Sequence, residues 1–194
     1  SQANAQDASK DSLQSRLYSH YVDLKTRFGV EDREHALIVD GECQKAYLIC
    51  EEDSVFEIVD SYEVSTVKNG FGDQRLSYKT PLGVHQIEAK NGSGAMTRTI
   101  FRYGASTGRV VKISDRDNDD RVGLLLTRIM RLKGREPQNS NSHLRGIFIH
   151  GTNREGSIGK PDSGGCVRMR NEDIIPLYSF LNIGSYVKIV DKLN

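Results

Sequence analysis

Three observations predict a β-rich, sandwich-like domain of the α+β class. Short runs rich in β-branched and aromatic residues recur along the chain, a pattern typical of strands. The 18 glycines indicate frequent turns between these runs. Only a few segments show the three-and-four spacing of apolar residues that an amphipathic helix requires. At 194 residues, the chain is long enough to bury a core without disulfides or metals.

The first predicted element is an amphipathic helix from Asp11 to Phe28, which ends at Gly29. Its apolar positions are Leu13, Leu17, Tyr21, Leu24 and Phe28. We expect this face to pack on the domain, with a partner-binding helix as the alternative. The chain therefore divides into residues 1–30, a polar N-terminus with this helix, and residues 31–194, the main domain.

Short strands separated by turns are predicted along most of the remaining chain. They are Ala36–Val39, Ala46–Cys50, Val55–Val59, Tyr62–Ser65, Val84–Ala89, Thr97–Tyr103, Val110–Ile113, Gly146–Ile149 and Tyr186–Val190. Turns are predicted at Asp40–Gln44, at the run Thr-Pro-Leu-Gly from Thr80, and at "NGSG", and "GASTG" is predicted to be a loop.

Two further helices are predicted in the second half. The first runs from about Arg121 to Lys133, with Asp119 or Asp120 as its cap and Gly134 at its end. Its apolar stripe consists of Val122, Leu125, Leu126, Ile129 and Leu132. The second runs to about Leu181, with Asn171 as its cap.

Composition argues against several classes of function. The net charge of +1 provides no global field for nucleic acid or an anionic membrane. No run approaches the roughly 20 apolar residues of a transmembrane helix. The acidic run "SDRDNDDR" is not a calcium loop, because Asp120 stands where glycine is needed and Leu126 where a bidentate glutamate is needed.

The three cysteines differ in their surroundings. Cys43 lies in a predicted turn and Cys50 lies well along the following strand. Strand geometry places them about 20 Å apart, which is too far for a disulfide. Cys166 instead follows two glycines, in a loop that begins after His150.

The segment from His150 to Cys166 has the parts of a cysteine nucleophile and its base. A histidine within hydrogen-bond reach of a thiol can accept its proton and leave the nucleophilic thiolate. Nearby cations (Arg154, Lys160, Arg168 and Arg170) favour the thiolate. In the small-residue turn Ser163-Gly164-Gly165-Cys166, the N–H groups of Gly165 and Cys166 can face an oxyanion. The alternatives are two packing residues, a zinc site with Cys166, His150, His143 and Asp162 as ligands, or a phosphate loop.

These residues resemble the active-site signature of the L,D-transpeptidases, cysteine enzymes of peptidoglycan with a YkuD-type domain. The family pattern is His-Gly-Thr, a loop, and Ser-His-Gly-Cys-hydrophobic-Arg-Met. Here it reads His150-Gly151-Thr152 and Ser163-Gly164-Gly165-Cys166-Val167-Arg168-Met169. Upstream, "KTPLGVHQI" resembles the family's Thr-Pro-x-Gly turn, and "LLLTRIMRLKG" resembles a helix of some members. The resemblance covers about Glu34 to Val190.

The resemblance implies a YkuD-like β-sandwich of mixed strands and a cell-wall transpeptidase. Cys166 would attack the bond from diaminopimelate to D-alanine in a tetrapeptide stem and form a thioester. His150, oriented by the Gly151 carbonyl, would be the base. Arg168 would help to hold the carboxylates of the stem, with a salt bridge to Asp173 or Glu172 as the alternative role. Ser163 and Thr152 would contact substrate or steady the turn.

The implied partners are stem peptides and an amine acceptor, which is a second stem or a wall-linked lipoprotein. No cofactor, no metal and no nucleic acid are expected. The substrate implies an exported protein of the periplasm or cell envelope, with its signal peptide outside this chain. Gly164 stands where the family usually has histidine, which leaves a hydrolase (an L,D-carboxypeptidase) as the alternative and a non-catalytic peptidoglycan-binding domain as a second one.

Overall fold

Strands dominate the structure, a computed structural model that describes residues 2–67, 69–111 and 123–194, with side chains from residue 13 onward. The described strands are β1 (Ala36–Asp40), β2 (Lys45–Glu52), β3 (Val55–Ser65), β4 (Gly83–Asn91), β5 (Thr99–Arg102), β6 (Ala105–Val110), β7 (Leu125–Gly134), β8 (Phe148–Gly151), β9 (Val167–Met169) and β10 (Tyr186–Val190). The α-helices are α1 (Gln2–Phe28), α2 (Ser142–Arg145) and α3 (Ile174–Phe180), with short 3₁₀ turns at Pro137–Asn139 and Glu155–Ser157. The predicted mainly β class is confirmed.

All ten strands belong to one mixed sheet, which closes on itself. The order is β4-β10-β1-β2-β3-β9-β8-β7-β5-β6, and β4 also pairs with β7. Strands β1 and β10 are parallel, as are β8 and β9, while the other pairs are antiparallel. Closure lets the two halves of the sheet face each other across a shared core, as in the predicted sandwich.

The main core lies inside this closed sheet. Its fully buried side chains come from strands on opposite sides, including Leu37 of β1, Leu48 of β2, Leu132 of β7 and Ile149 of β8. Helix α3 adds Leu177 to the same cluster. Strands β8 and β9 are therefore fixed from behind by packed hydrocarbon, which holds their outer face in place for a site.

Helix α1 packs on the outside of the sheet and forms a second apolar cluster. Leu17, Tyr21 and Leu24 are fully buried and contact the outward side chains of β1 and β2, such as Ile38 and Ile49. The expected packing of this helix on the domain is confirmed, whereas the division at residue 30 stays a prediction. None of the described helices, including this long one, is apolar enough over a sufficient length to cross a membrane.

The helix predicted from Arg121 to Lys133 is wrong, because Leu125–Gly134 is strand β7. This strand pairs with β4, β8 and β5 along its two edges, and residues 126–130 are all buried, so its side chains are covered on both faces. A bulge at Thr127, which has φ of 71°, shifts the register between Leu126 and Ile129. The bulge replaces strict alternation by a three-residue step that imitates helical spacing. The predicted caps and Val122 lie outside the described residues.

Several smaller boundaries also differ from the predictions. The two strands predicted at Val55–Val59 and Tyr62–Ser65 are one strand, with Val59 as the extra residue at a register shift against β2. The predicted loop "GASTG" belongs largely to β6. Of the strand predicted at Val110–Ile113, only residues 110 and 111 are described. Cys43 and Cys50 are both free, as predicted.

We expect Leu24→Ala to destabilise the protein by about 2–4 kcal/mol, because it removes a fully buried side chain from the α1 cluster. The matched control is Val22→Ala on the same helix, where the side chain is 40% exposed and the expected loss is below about 1 kcal/mol. Urea unfolding measures both free energies. Equal stability of the two variants would contradict the packing of α1 on the sheet.

Candidate active site

The parallel pairing of β8 and β9 sets the geometry of the site. His150 lies opposite Arg168 in the register, and Ile149 lies opposite Val167. Ile149 and Val167 point into the main core, so His150 and Arg168 face the outer side of the sheet, because side chains alternate along a strand. Cys166 directly precedes β9 on the face of Arg168. Strand geometry places the Cα atoms of His150 and Cys166 about 8 Å apart.

His150 is buried, with 4% of its surface exposed, and a backbone acceptor holds its ring. Nδ1 lies 2.7 Å from the carbonyl oxygen of Gly151. Since a carbonyl only accepts, Nδ1 carries the proton and Nε2 of the neutral ring has a free lone pair. Burial lowers the pKa of His150 to about 4; the Gly151 hydrogen bond opposes this shift and the charge of Arg168 adds to it. At neutral pH the ring therefore presents an unprotonated Nε2.

The thiol of Cys166 is partly exposed at the edge of a cleft. Its sulfur accepts a hydrogen bond from the N–H of Phe148 at 3.4 Å and donates to the carbonyl of Gly146 at 3.6 Å. Packed atoms around the sulfur raise the pKa of the thiol, while the Phe148 N–H and the charges of Arg168 and Arg145 act in the opposite direction. The thiol is consequently protonated at neutral pH.

The sulfur and the imidazole are not hydrogen-bonded to each other in the described chain. The partners of Cys166 Sγ are both backbone groups near the start of β8, whereas His150 lies toward the end of that strand. With the two Cα atoms about 8 Å apart, a hydrogen bond between the sulfur and the imidazole requires the sulfur to leave these backbone partners. The two side chains thus share one face of the sheet without a hydrogen bond between them, and burial favours the neutral form of each.

The turn before Cys166 is stabilised by Ser163. This residue is buried, and its Oγ accepts a hydrogen bond from the N–H of Gly165 at 3.2 Å. Ser163 also forms an isolated parallel bridge with Val67. The N–H of Gly165, predicted to face an oxyanion, is therefore already engaged. The N–H of Cys166 forms no hydrogen bond with any described residue, which makes it the available donor beside the sulfur.

Arg168 is buried beneath the loop that connects β8 with β9. Its guanidinium lies 3.1 Å from Oδ2 of Asp162, and Arg154 contacts the same carboxylate at 3.0 Å. Arg168 does form a salt bridge, as in the alternative role considered for it. The predicted partners Glu172 and Asp173 are wrong, because the partner is Asp162. The ion pair instead folds the loop back over β9, with a positive charge beside both Cys166 and His150.

A buried polar network under the same loop was not predicted. Asn171 donates from Nδ2 to the carbonyl of Thr152 at 2.7 Å and to the carboxylate of Glu155 at 2.6 Å. Its Oδ1 accepts from the hydroxyl of Thr127 at 2.5 Å. Asn171 is therefore not a helix cap, and Asp173 precedes α3 instead. Thr152 is fully buried and its hydroxyl accepts from a loop N–H, so the structure places it within the loop and not at the cleft.

The cleft beside Cys166 has a volume of about 270 Å³. Its walls come from α2, the turn before β9 and the loop that follows residue 69, and include Arg75, Leu76, Tyr78, Leu144, Arg145, Ile147 and Gly164. Sequence reasoning missed Arg145, because no local pattern connects it with the distant loop it holds. Among the described residues, no three His, Cys, Asp or Glu side chains are grouped to hold a metal ion.

A family model described as the YkuD L,D-transpeptidase catalytic domain matches residues 34–189. The chain belongs to this family. The predicted L,D-transpeptidase YqjB of Bacillus subtilis is 49% identical over 43 residues, which are 22% of this chain and 24% of that protein. The predicted L,D-transpeptidase ErfK/SrfK of Salmonella typhimurium is 46% identical over 44 residues, or 23% and 14% of the two chains. These matches span about a quarter or less of each relative's length.

Two solved structures share the fold. An L,D-transpeptidase from Mycobacterium smegmatis superposes with a TM-score of 0.51 at 13% identity, covering 81% of this chain and 58% of that one. The helical cell shape determining protein Pgp2 from Campylobacter jejuni gives a TM-score of 0.53 at 15% identity, covering 84% and 50%. At these identities the likeness concerns the fold alone.

We expect the imidazole of His150 to stay neutral well below pH 6, because burial lowers its pKa from 6.5 to about 4. Nitrogen-15 NMR should show a proton on Nδ1 and none on Nε2, with His150→Gln used to assign the signals. Since the unfolded chain binds this proton at higher pH, stability should fall as the pH drops from about 6.5 to about 4. A titration midpoint near 6.5 would contradict the burial of the ring.

The two glycines before Cys166 should respond differently to an added methyl group. A Cβ at Gly164 meets only Tyr78 at an ordinary 3.7 Å, outside the left-handed region, so Gly164→Ala should change stability by less than about 0.5 kcal/mol. Gly165 has φ of 122°, and a Cβ there lies 3.0 Å from the carbonyl of Lys79. Gly165→Ala should therefore lose roughly 1–3 kcal/mol. Thermal unfolding compares them, and equal losses would count against the turn geometry.

Proposed function

We propose that the chain is a cell-wall L,D-transpeptidase whose nucleophile is Cys166 and whose base is His150. The observation that carries this proposal is the placement of the two residues on one outer face of the β8–β9 pair. The family membership of residues 34–189 supplies the reaction class. The expected substrate is a tetrapeptide stem of peptidoglycan, cleaved at the bond from diaminopimelate to D-alanine.

The first half of the reaction is the formation of a thioester. The thiol proton moves to Nε2 of His150 as the sulfur attacks the carbonyl carbon, and a C–S bond forms. The tetrahedral intermediate collapses when the C–N bond breaks, and Nε2–H delivers its proton to the departing amine of D-alanine. The carbonyl of Gly151 keeps Nδ1 protonated throughout, so that only Nε2 exchanges protons.

Charge and burial support this order of events. The pKa of the thiol is raised and the pKa of His150 is lowered, so a preformed thiolate–imidazolium pair is disfavoured at rest. Proton transfer then accompanies attack, when the positive charge of Arg168 and the free N–H of Cys166 stabilise the developing negative charge. Such a donor typically lowers the activation barrier by roughly 2.7–4 kcal/mol.

The remaining predicted site residues support the loop and the substrate. We assign Ser163 and Thr152 to positioning, since their hydroxyls accept hydrogen bonds from the N–H groups of Gly165 and Arg154. Gly165 can donate to an oxyanion only if its bond to Ser163 opens. Arg168 holds the loop through Asp162 and provides charge, and a direct contact with substrate carboxylates would require exchange of that ion pair.

The second half of the reaction transfers the acyl group to an amine. The acceptor is a second diaminopimelate stem, or the lysine of a wall-linked lipoprotein, whose attack on the thioester releases Cys166. His150 accepts a proton from the amine and returns it to the sulfur. A substrate of this kind places the protein in the periplasm or cell envelope.

Hydrolysis of the same bond is the second candidate, and the exposure of Gly164 favours it. The family usually carries histidine at this position, whereas Gly164 leaves open space beside Cys166, with Tyr78 as the nearest side chain. Water has access to a thioester formed there, and its attack would yield a tripeptide stem.

Incubation with a disaccharide tetrapeptide, followed by mass analysis, tests the proposal. We expect release of D-alanine and a cross-linked dimer, and a tripeptide without dimer would assign the hydrolase instead. Cys166→Ala should abolish all products because it removes the nucleophile. The matched control is Cys43→Ala, a free and exposed thiol outside the site, which should react like the unaltered protein. Unchanged substrate with the unaltered protein would contradict both candidates.

A further inference from the structure

The loop that forms the outer wall of the cleft places a cation near Cys166. Arg75, Leu76 and Tyr78 line the same cavity of about 270 Å³ as Cys166 and Gly164. Leu76 is 86% and Tyr78 is 62% exposed. Exposed apolar surface on a cleft wall beside a nucleophile is typical of a ligand contact.

Both ends of this loop are held by Arg145, which is itself buried. Its guanidinium donates to the carbonyl of Gly72 at 2.9 Å and to the carbonyl of Lys79 at 2.5 Å. Asp73 balances the charge at 3.1 Å, and both side chains of this ion pair are only 7% exposed. The backbone N–H of Asn141 binds the same carboxylate at 2.6 Å. The loop is therefore fixed before any ligand arrives, which lowers the entropic cost of binding.

The backbone of the loop is strained at two bulky residues. Leu76 has φ of 60° and Tyr78 has φ of 54°, a region that side chains of this size rarely adopt. Strain of this kind persists only where the surrounding structure enforces it, and it concentrates at ligand clamps. The hydrogen bonds of Arg145 supply that enforcement.

Two arginines line the cleft, and only one of them has a charge that is free to bind a ligand. Arg145 is neutralised by Asp73, whereas Arg75 is exposed and forms no ion pair or hydrogen bond with any described residue. The volume of the cleft is smaller than the roughly 300–1,000 Å³ of typical ligand pockets. It suits the end of a peptide better than a long run of residues.

We propose that Arg75 binds the C-terminal carboxylate of the donor peptide and so selects substrates with a free end one residue beyond the bond that Cys166 attacks. This inference rests on the proposed function for the identity of the peptide, and it assigns a specificity residue to that site. A guanidinium binds a carboxylate through two parallel hydrogen bonds, which neither a C-terminal amide nor an extended chain can provide in the same place. The other carboxylate of the stem, on diaminopimelate, is the competing source of the same chemistry.

Peptide binding to the Cys166→Ala protein tests the inference without turnover. Calorimetry would compare three tetrapeptides: the free acid, the C-terminal amide and a peptide amidated on the diaminopimelate carboxyl. We expect the free acid to bind about tenfold more tightly than the C-terminal amide. Adding Arg75→Gln should remove this preference, and Arg75→Lys should restore part of it. The matched control Arg102→Gln, an exposed arginine on β5, should leave it unchanged.

Each outcome distinguishes the inference from the proposed function. Equal affinity for acid and C-terminal amide would overturn the role of Arg75, even if the unaltered protein releases D-alanine. Loss of affinity only on amidation of the diaminopimelate carboxyl would overturn it as well. A carboxylate preference that depends on Arg75, together with no turnover of the tetrapeptide by the unaltered protein, would support the inference and overturn the proposed reaction. No binding of any of the peptides would overturn both.

Discussion

The parallel pairing of β8 with β9 determines where the histidine and the cysteine lie. Parallel neighbours need a long connection between them, so the chain must leave at Gly151 and return before Val167 through a loop. That connection brings the turn with Cys166 back beside the strand of His150. Ile149 and Val167 are packed in the core, which fixes the face that each strand turns inward. Because side chains alternate along a strand, His150 and Cys166 lie on the outer face. Without this register, the same two residues would be sixteen positions apart with no reason to meet.

Burial has different consequences on the two sides of the site. Around His150 and Cys166 it favours the neutral forms of both groups, so in the proposed reaction charge develops only during attack. Around Arg145 and Asp73 it strengthens an ion pair whose guanidinium also donates to two backbone carbonyls, those of Gly72 and Lys79. The first arrangement keeps the thiol protonated at rest, and the second holds both ends of the loop in the cleft wall. Separate buried polar groups thus set the protonation of the site and hold the wall of the cleft beside it.

Local patterns in the sequence were sufficient for the parts of the fold that depend on local physics. The end of α1 at Phe28 and the short runs of β1, β2 and β10 correspond closely to the observed elements, whereas α1 begins at Gln2 and not at the predicted Asp11. The loop from His150 to Cys166 was predicted from residue types and family resemblance. Strand β7 was missed because a bulge at Thr127 gave its apolar residues helical spacing. No local pattern encodes the hydrogen bonds around Asn171 or those from Arg145 to a loop more than sixty residues away. Both sets are tertiary contacts between residues distant in the sequence.

The most direct test of the account is the rate at which Cys166 is acylated by a stem tetrapeptide in a single turnover, followed by the mass of the intact protein. If His150 accepts the thiol proton, His150→Gln should slow thioester formation by a factor of about 10² to 10⁴. His143→Gln, a change at a half-exposed histidine on α2, should leave the rate unchanged. Acylation of the His150→Gln protein at the unaltered rate would contradict the pairing of sulfur and imidazole on which the account depends.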